Sequence, residues 1–116
     1  MCIFCKIIKR EIPADIVFED DEVIAIKDVN PLTKGHTLVI PKTHYKNMLD
    51  APEDVVAKMS KTVQKIAKDY MQDLEMLGFH MVVNNNHEAY QSVDHLHFHI
   101  IPRYDRDELN YFSKAV

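Results

Sequence analysis

Glycine is scarce in this chain: Gly35 and Gly78 are the only two in 116 residues. No repeat, linker or low-complexity tract accompanies them, which leaves an ordinary folded domain rather than an array or a tether. No apolar run approaches the roughly 20 residues that a membrane-spanning helix needs. The opening stretch MCIFCKIIKREIP is apolar in places, but Lys6, Lys9, Arg10 and Glu11 interrupt it. It also lacks the order and the small-residue cleavage site of a signal peptide. These absences point to a cytoplasmic protein with no membrane partner. Positive charge is not in excess either: the formal charge is -4, the pI is about 5.9, and the cations are dispersed. A protein that held nucleic acid by electrostatics would carry a basic stripe, so no nucleic-acid partner is expected.

What is present suits one soluble domain. Apolar residues make up 47% and charged residues 28%, and a chain of this length can bury a single core. We read 1–116 as one domain, with a core over 2–103 and a polar C-terminal tail over 104–116. Cysteine occurs twice, as Cys2 and Cys5. In a cytosolic chain a C-x-x-C pair is more often metal-binding or redox-active than a structural disulfide.

Residues 3–9 predict a short helix ending by Pro13. Apolar, β-branched segments at 16–19 and 23–28 flank an acidic turn, and a third at 36–40 stops at Pro41. Between them 29–35 forms a loop, with Asn30-Pro31 and Gly35 as turn signals. One long helix is the clearest element, with Asp50 as N-cap, Pro52 in the first turn and Gly78 as C-cap. Its apolar positions are Val55, Val56, Met59, Val63, Ile66, Ala67, Tyr70, Met71 and Leu74, at spacings of three and four. Two more strands follow at 79–84 and 92–101, the last ended by Pro102. About five strands and one long helix, without βαβ alternation, predict an α+β domain: an antiparallel sheet with helices on one side.

The last of these strands contains DHLHFHIIP. With period-two alternation, Leu96, Phe98 and Ile100 share the face toward the helix, and His95, His97 and His99 share the other. Asp94 then falls on the helix side. A single outward histidine is ordinary polar filler; three in a row mark a functional site. Neighbouring positions on one face stand about 7 Å apart, too far for three rings to converge easily on one ion. The other chemistry open to such a row is covalent catalysis at phosphorus, one imidazole attacking while its neighbours handle protons and phosphate oxygens.

QSVDHLHFHII matches His-φ-His-φ-His-φ-φ, where φ is apolar, and so resembles the histidine triad (HIT) superfamily. IFCKIIKREIPADIVFEDD, VIAIKDVNPLTKGHTLVIPKTH and VVNN are similar to its HINT-type nucleoside phosphoramidases, in order over about 2–103. The resemblance implies a HIT-like fold and a purine nucleotide substrate. Catalysis would proceed by attack of His97 on the α-phosphorus of a nucleoside 5′-phosphoramidate or related nucleotidyl conjugate. Water would then hydrolyse the nucleotidyl-histidine and release the nucleoside monophosphate. It further implies that the His95 carbonyl orients His97, that His99 and His36 approach phosphate oxygens, and that Ser92 lies near the leaving group. Asn84 would help hold the phosphate, and Asp28 would accept both ribose hydroxyls. Ile3, Phe4, Ile7, Ile26 and Val29 would enclose the base. A homodimer through the long helix and a sheet edge is also implied.

C-x-x-C is half of a tetrahedral zinc site. Some bacterial HIT proteins, and related hexose-1-phosphate nucleotidylyltransferases, carry a structural zinc on this pair plus two histidines. By that resemblance the ligands would be Cys2, Cys5, His44 and His95, in a closed site that takes no part in catalysis. Two features depart from the family pattern: Tyr90 stands where glycine is common, and Asp94 where an aromatic is usual. The ending Ile101-Pro102-Arg103 looks more like that of dinucleoside polyphosphate hydrolases. Such a hydrolase, or a catalytically idle nucleotide-binding adaptor, therefore stands beside the phosphoramidase as an alternative.

Overall fold

The computed structural model describes residues 2–106 and 109; the rest of the expected tail lies outside the described residues. In chain order the elements are α1 (Ile3–Ile8), β1 (Ile16–Glu19), β2 (Val23–Lys27), β3 (Thr37–Pro41), α2 (Glu53–Asp73), β4 (Gly78–Val82) and β5 (Phe98–Arg103), with a 3₁₀ turn at His87–Ala89. The strands form one five-stranded sheet in the order β1-β2-β3-β5-β4, and every neighbouring pair is antiparallel. This is the α+β architecture that the element order predicts.

Both faces of the sheet are covered, not one. Val23 and Ala25 of β2, Val39 of β3, and Phe98 and Ile100 of β5 pack with Met59, Val63, Ile66, Ala67 and Tyr70 of α2. The alternate residues, Ile24, Ile26, Leu38 and Ile40, pack with Phe4 and Ile7 of α1. A strand buried on both faces loses the polar alternation of a half-exposed one, and VIAI in β2 is such a run. The short helix is therefore a lid over the second face.

Helix α2 buries Met59, Thr62, Val63, Ile66, Ala67 and Tyr70, the three-four stripe that an amphipathic helix turns toward a core. Both of its caps differ from expectation. Pro52 is the N-cap, and Asp50 instead accepts the backbone N–H groups of Lys46 and Asn47, each at 3.1 Å. Glu53 and Asp54 supply the negative charge that suits the first turn. The helix ends at Leu74, followed by Glu75 at φ 56°, and Gly78 opens β4.

The final strand also starts later than alternation predicts. Residues 92–97 form an irregular approach to β5, in which Leu96 N–H donates to the Tyr45 carbonyl at 2.7 Å. Asp94 consequently lies exposed on a bend and does not face α2. Pro102 sits within β5, opposite Phe79. Pairing with β3 stops at Ile100, so Pro102 lies past the doubly paired part of the strand.

Candidate active site

Gly35 and the loop it closes bring the first half of the site to β5. Gly35 takes φ 87°, a conformation that strains any side chain, and a Cβ there would also push aside the flexible end of Leu74, whose Cδ1 lies 2.6 Å away. Thr33 Oγ1–H bonds the Pro102 carbonyl at 2.6 Å, and Tyr104 O–H bonds the Lys34 carbonyl at 2.7 Å. The loop is thus fastened to β5 and delivers His36 beside His99.

The histidines do not face solvent. His95 is 0% and His97 4% exposed, because α1 covers them: the Phe4 ring meets His97 edge-on at 5.1 Å and His95 at 5.8 Å. Burial without solvent makes ring partners decisive, and each ring has one that fixes its tautomer. His97 Nδ1–H donates to the His95 carbonyl at 2.8 Å. Its Nε2 therefore keeps a lone pair. His95 Nε2–H donates to the Pro41 carbonyl at 2.8 Å, leaving its Nδ1 as the lone-pair atom.

His36 and His99 form a directed chain. Leu32 N–H donates to His36 Nδ1 at 3.0 Å, so His36 Nε2 carries the proton. That proton is shared with His99 Nδ1 at 2.9 Å, which leaves His99 with an Nε2–H donor. Asp28 accepts Asn30 N–H through Oδ1 at 2.9 Å and places Oδ2 3.5 Å from His36 Nε2. Asp28, His36 and His99 lie close enough to hold a metal. The proton on His36 Nε2 opposes it, since a metal there would break the Leu32 bond or require an imidazolate.

Electrostatically the rings are neutral. Burial lowers His97, while its bond to the His95 carbonyl and the Asp28 carboxylate pull it partly back. Burial lowers His36 as well, with Asp28 opposing. His99 is pushed down to about 4 by burial, then by His97 and His36, against a smaller pull from Asp28. The cluster is thus a neutral nucleophile beside neutral N–H donors, a suitable arrangement for attack at phosphorus.

A cavity of about 200 Å³ opens in front of these rings. Ile3, Phe4, Ile7, Ile26, Val29, Asp28, Ser92, His97 and His99, all expected at the site, line it together with Lys27, Leu38 and Val93. His36 joins through His99. Asn84 is half-buried and is not among the lining residues. Sequence reasoning missed Gln91. Its buried amide donates to the Lys46 carbonyl at 2.6 Å and the Val93 carbonyl at 2.9 Å, and accepts Asn86 N–H at 2.8 Å. It clamps the loop that presents Ser92. Only its place in the QSV run could have pointed to it.

On the far side of Phe4, four more donors converge. Cys2 Sγ lies 3.3 Å from Cys5 Sγ and 3.3 Å from His95 Nδ1, and Cys5 Sγ lies 3.3 Å from His44 Nδ1. Their ligand atoms are all within 4.8 Å of one another. Two sulfurs and two imidazole nitrogens, with the His95 lone pair aimed at the sulfurs, fit a tetrahedral thiophilic ion such as zinc.

Known proteins resemble the chain over most of its length. An uncharacterised HIT-like protein of Methanocaldococcus jannaschii is 50% identical over 107 residues, 92% of this chain and 82% of the relative. Adenylylsulfatase HINT3 of Arabidopsis thaliana is 43% identical over 91% of this chain, which spans 54% of that protein. Among solved structures, a Zn-bound histidine triad family protein from Mycobacterium smegmatis superposes with a TM-score of 0.91 at 39% identity, covering 95% of this chain and 80% of the other. The HIT domain profile matches residues 9–106. With the buried triad, the cavity and the cysteine-histidine cluster in place, the chain belongs to the HIT family.

Proposed function

We propose that the protein hydrolyses purine nucleoside 5′-phosphoramidates or related nucleotidyl conjugates through a covalent intermediate on His97. The observation that carries this reading is the tautomer of His97: Nδ1–H is spent on the His95 carbonyl, and the ring lines the cavity with Asp28 and Ser92. Nε2 attacks the α-phosphorus, the bond to the leaving amine breaks, and the amine takes up a proton. Water then attacks the same phosphorus and frees the nucleoside monophosphate. His99 Nε2–H donates to a phosphate oxygen, and the Ser92 hydroxyl, exposed at the rim, serves the leaving group. Asp28 Oδ2 takes the ribose hydroxyls, and the apolar wall of α1 and β2 takes the base.

Purified protein should turn over adenosine 5′-phosphoramidate, and His97→Ala should lower the rate by about 10³ or more. Turnover that survives the substitution would sink the mechanism. A diadenosine polyphosphate and adenylyl sulfate belong in the same assay. The first tests the alternative suggested by Ile101-Pro102-Arg103, and the second follows from the name of the Arabidopsis relative. Preference for either would reassign the leaving group. Turnover of none would favour the adaptor.

The cluster Cys2, Cys5, His44 and His95 is read as a structural zinc site. Four protein donors leave no open position, so the ion would supply cross-linking rather than reaction chemistry. Metal content of the wild type should be near one ion per chain and should drop in Cys5→Ala; equal content would remove the assignment. A homodimer through α2 and the β4 edge also belongs to this reading. The thiols and the nucleotide substrate suit a cytosolic setting, and no described helix is long and apolar enough to cross a membrane.

A further inference from the structure

We propose that Cys2 and Cys5 form a thiol-disulfide modification site through which a peroxide-class oxidant weakens nucleotide binding. The binding half of the proposal rests on the nucleotide reading above; the thiol half does not. The two sulfurs lie 3.3 Å apart, both half-buried, in a cluster whose fourth member, His44, is exposed. A small oxidant therefore has an approach. Cys2 is the N-cap of α1, and its sulfur accepts Cys5 N–H at 3.3 Å. Positions three apart at a helix start bring Cα atoms to about 5 Å, within the span a disulfide bridges. Bonding needs the sulfurs to close to about 2.05 Å, a small rotation of two side chains.

The step balances without another reagent. One sulfur attacks hydrogen peroxide, the O–O bond breaks, and a sulfenic acid and water result. The second sulfur attacks the first, the S–O bond breaks, the S–S bond forms, and a second water leaves. The two thiols lose two electrons together, and peroxide gains them. A disulfide no longer serves as a pair of thiolate donors. Any ion held there is left with His44 and His95 alone.

The consequence reaches the cavity through α1. The cysteines flank Ile3 and Phe4, and Ile3, Phe4 and Ile7 are all cavity wall. Phe4 also sets the ring of His97 edge-on at 5.1 Å. With both sulfurs turned toward each other, α1 gives up its attachment to His44 and to His95. The wall that would carry the base and the packing that orients His97 loosen together. One helix thus joins a redox-active pair to the cavity.

The test titrates the purified, reduced, metal-loaded chain with hydrogen peroxide. Free thiols, the Cys2–Cys5 bridge by peptide mapping, released metal and AMP affinity by calorimetry are read on the same samples. The expected result is that two thiols vanish together, the bridge appears, metal is released and AMP binds about tenfold more weakly or worse. Dithiothreitol plus zinc should reverse all four. Cys2→Ser should form no intramolecular bridge, and its AMP affinity should ignore peroxide. Both Cys2→Ser and His44→Ala remove one of the four donors, so the circular dichroism of each is compared with wild type before peroxide is added. His44→Ala keeps both thiols, lies outside the cavity lining, and should form the bridge faster than wild type. Thiols that advance to sulfinic acid without a bridge would overturn the modification site. A bridge that leaves AMP affinity unchanged would overturn the coupling. Reduced protein that fails to bind AMP would instead overturn the nucleotide reading, and peptide mapping would still decide the thiol site.

Discussion

His99 carries the most displaced of the buried rings, held at about 4 by burial, His97 and His36. The sign of its pH effect follows from linkage. Between roughly pH 6.5, where an unfolded histidine titrates, and pH 4, the unfolded chain binds a proton that the native ring refuses. Stability is therefore full above that window and falls as pH drops through it, levelling off below the native value. The full shift is worth at most about 3 kcal/mol. Denaturant unfolding of wild type should show this loss, and His99→Gln should flatten it by up to one proton, or about 1.4 kcal/mol per pH unit. An unchanged slope in the variant would place the effect on other rings. At this scale much of the site was legible. Three alternating histidines pointed to chemistry, and the family resemblance gave each an expected role. The burial of His95 and His97 was not legible, because Phe4 covers them from a helix some ninety residues away in the chain.

At the scale of elements, positive φ separates two positions that sequence treats alike. Gly35 at φ 87° holds a backbone conformation that a Cβ would strain, and the tip of Leu74 would have to move aside for it. Gly35→Ala should cost about 2 kcal/mol or more in chemical unfolding, with reduced turnover as His36 and Asp28 shift. Tyr90 also lies in the left-handed region, at φ 63°, yet its side chain is 83% exposed. Tyr90→Gly relieves about 1 kcal/mol of backbone strain and adds a similar freedom to the unfolded chain. Its melting temperature should stay within a few degrees of wild type. A large drop would mean that the ring makes contacts that its exposure denies. Neighbouring Asn86, at φ 76° and ψ 160°, is the other strained member of this loop. It is held by Gln91 and by the Asn47 amide at 2.8 Å. The helix was legible in its stripe, but not in its caps. Asp50 can serve either a helix start or a turn, and the turn won through two backbone bonds.

At the scale of the whole molecule, no described residue covers the apolar flank of α2 and β4. Met71, Phe79 and Met81 are half-exposed beside Val63 and Ala67, around a hollow of about 370 Å³. β4 is also an edge strand, with one side unpaired among the described residues. An apolar face beside an open strand edge is what a second copy would cover. Light scattering should give a dimer mass for wild type, and Met81→Lys should shift it toward the monomer without loss of helix signal. A wild-type monomer at micromolar concentration would refute the assembly.

Local pattern alone decided the element types, the α2 stripe and the presence of a histidine row. These depend on spacing along the chain, which sequence carries directly. Tertiary structure decided that α1 closes the second face, and it brought together Cys2, Cys5, His44 and His95, the set that the family resemblance had named. It also set which nitrogen of each imidazole holds the proton. Those outcomes depend on backbone groups such as the Pro41, His95 and Leu32 peptides. Every residue carries such groups, so their positions, and not their identity, give them meaning.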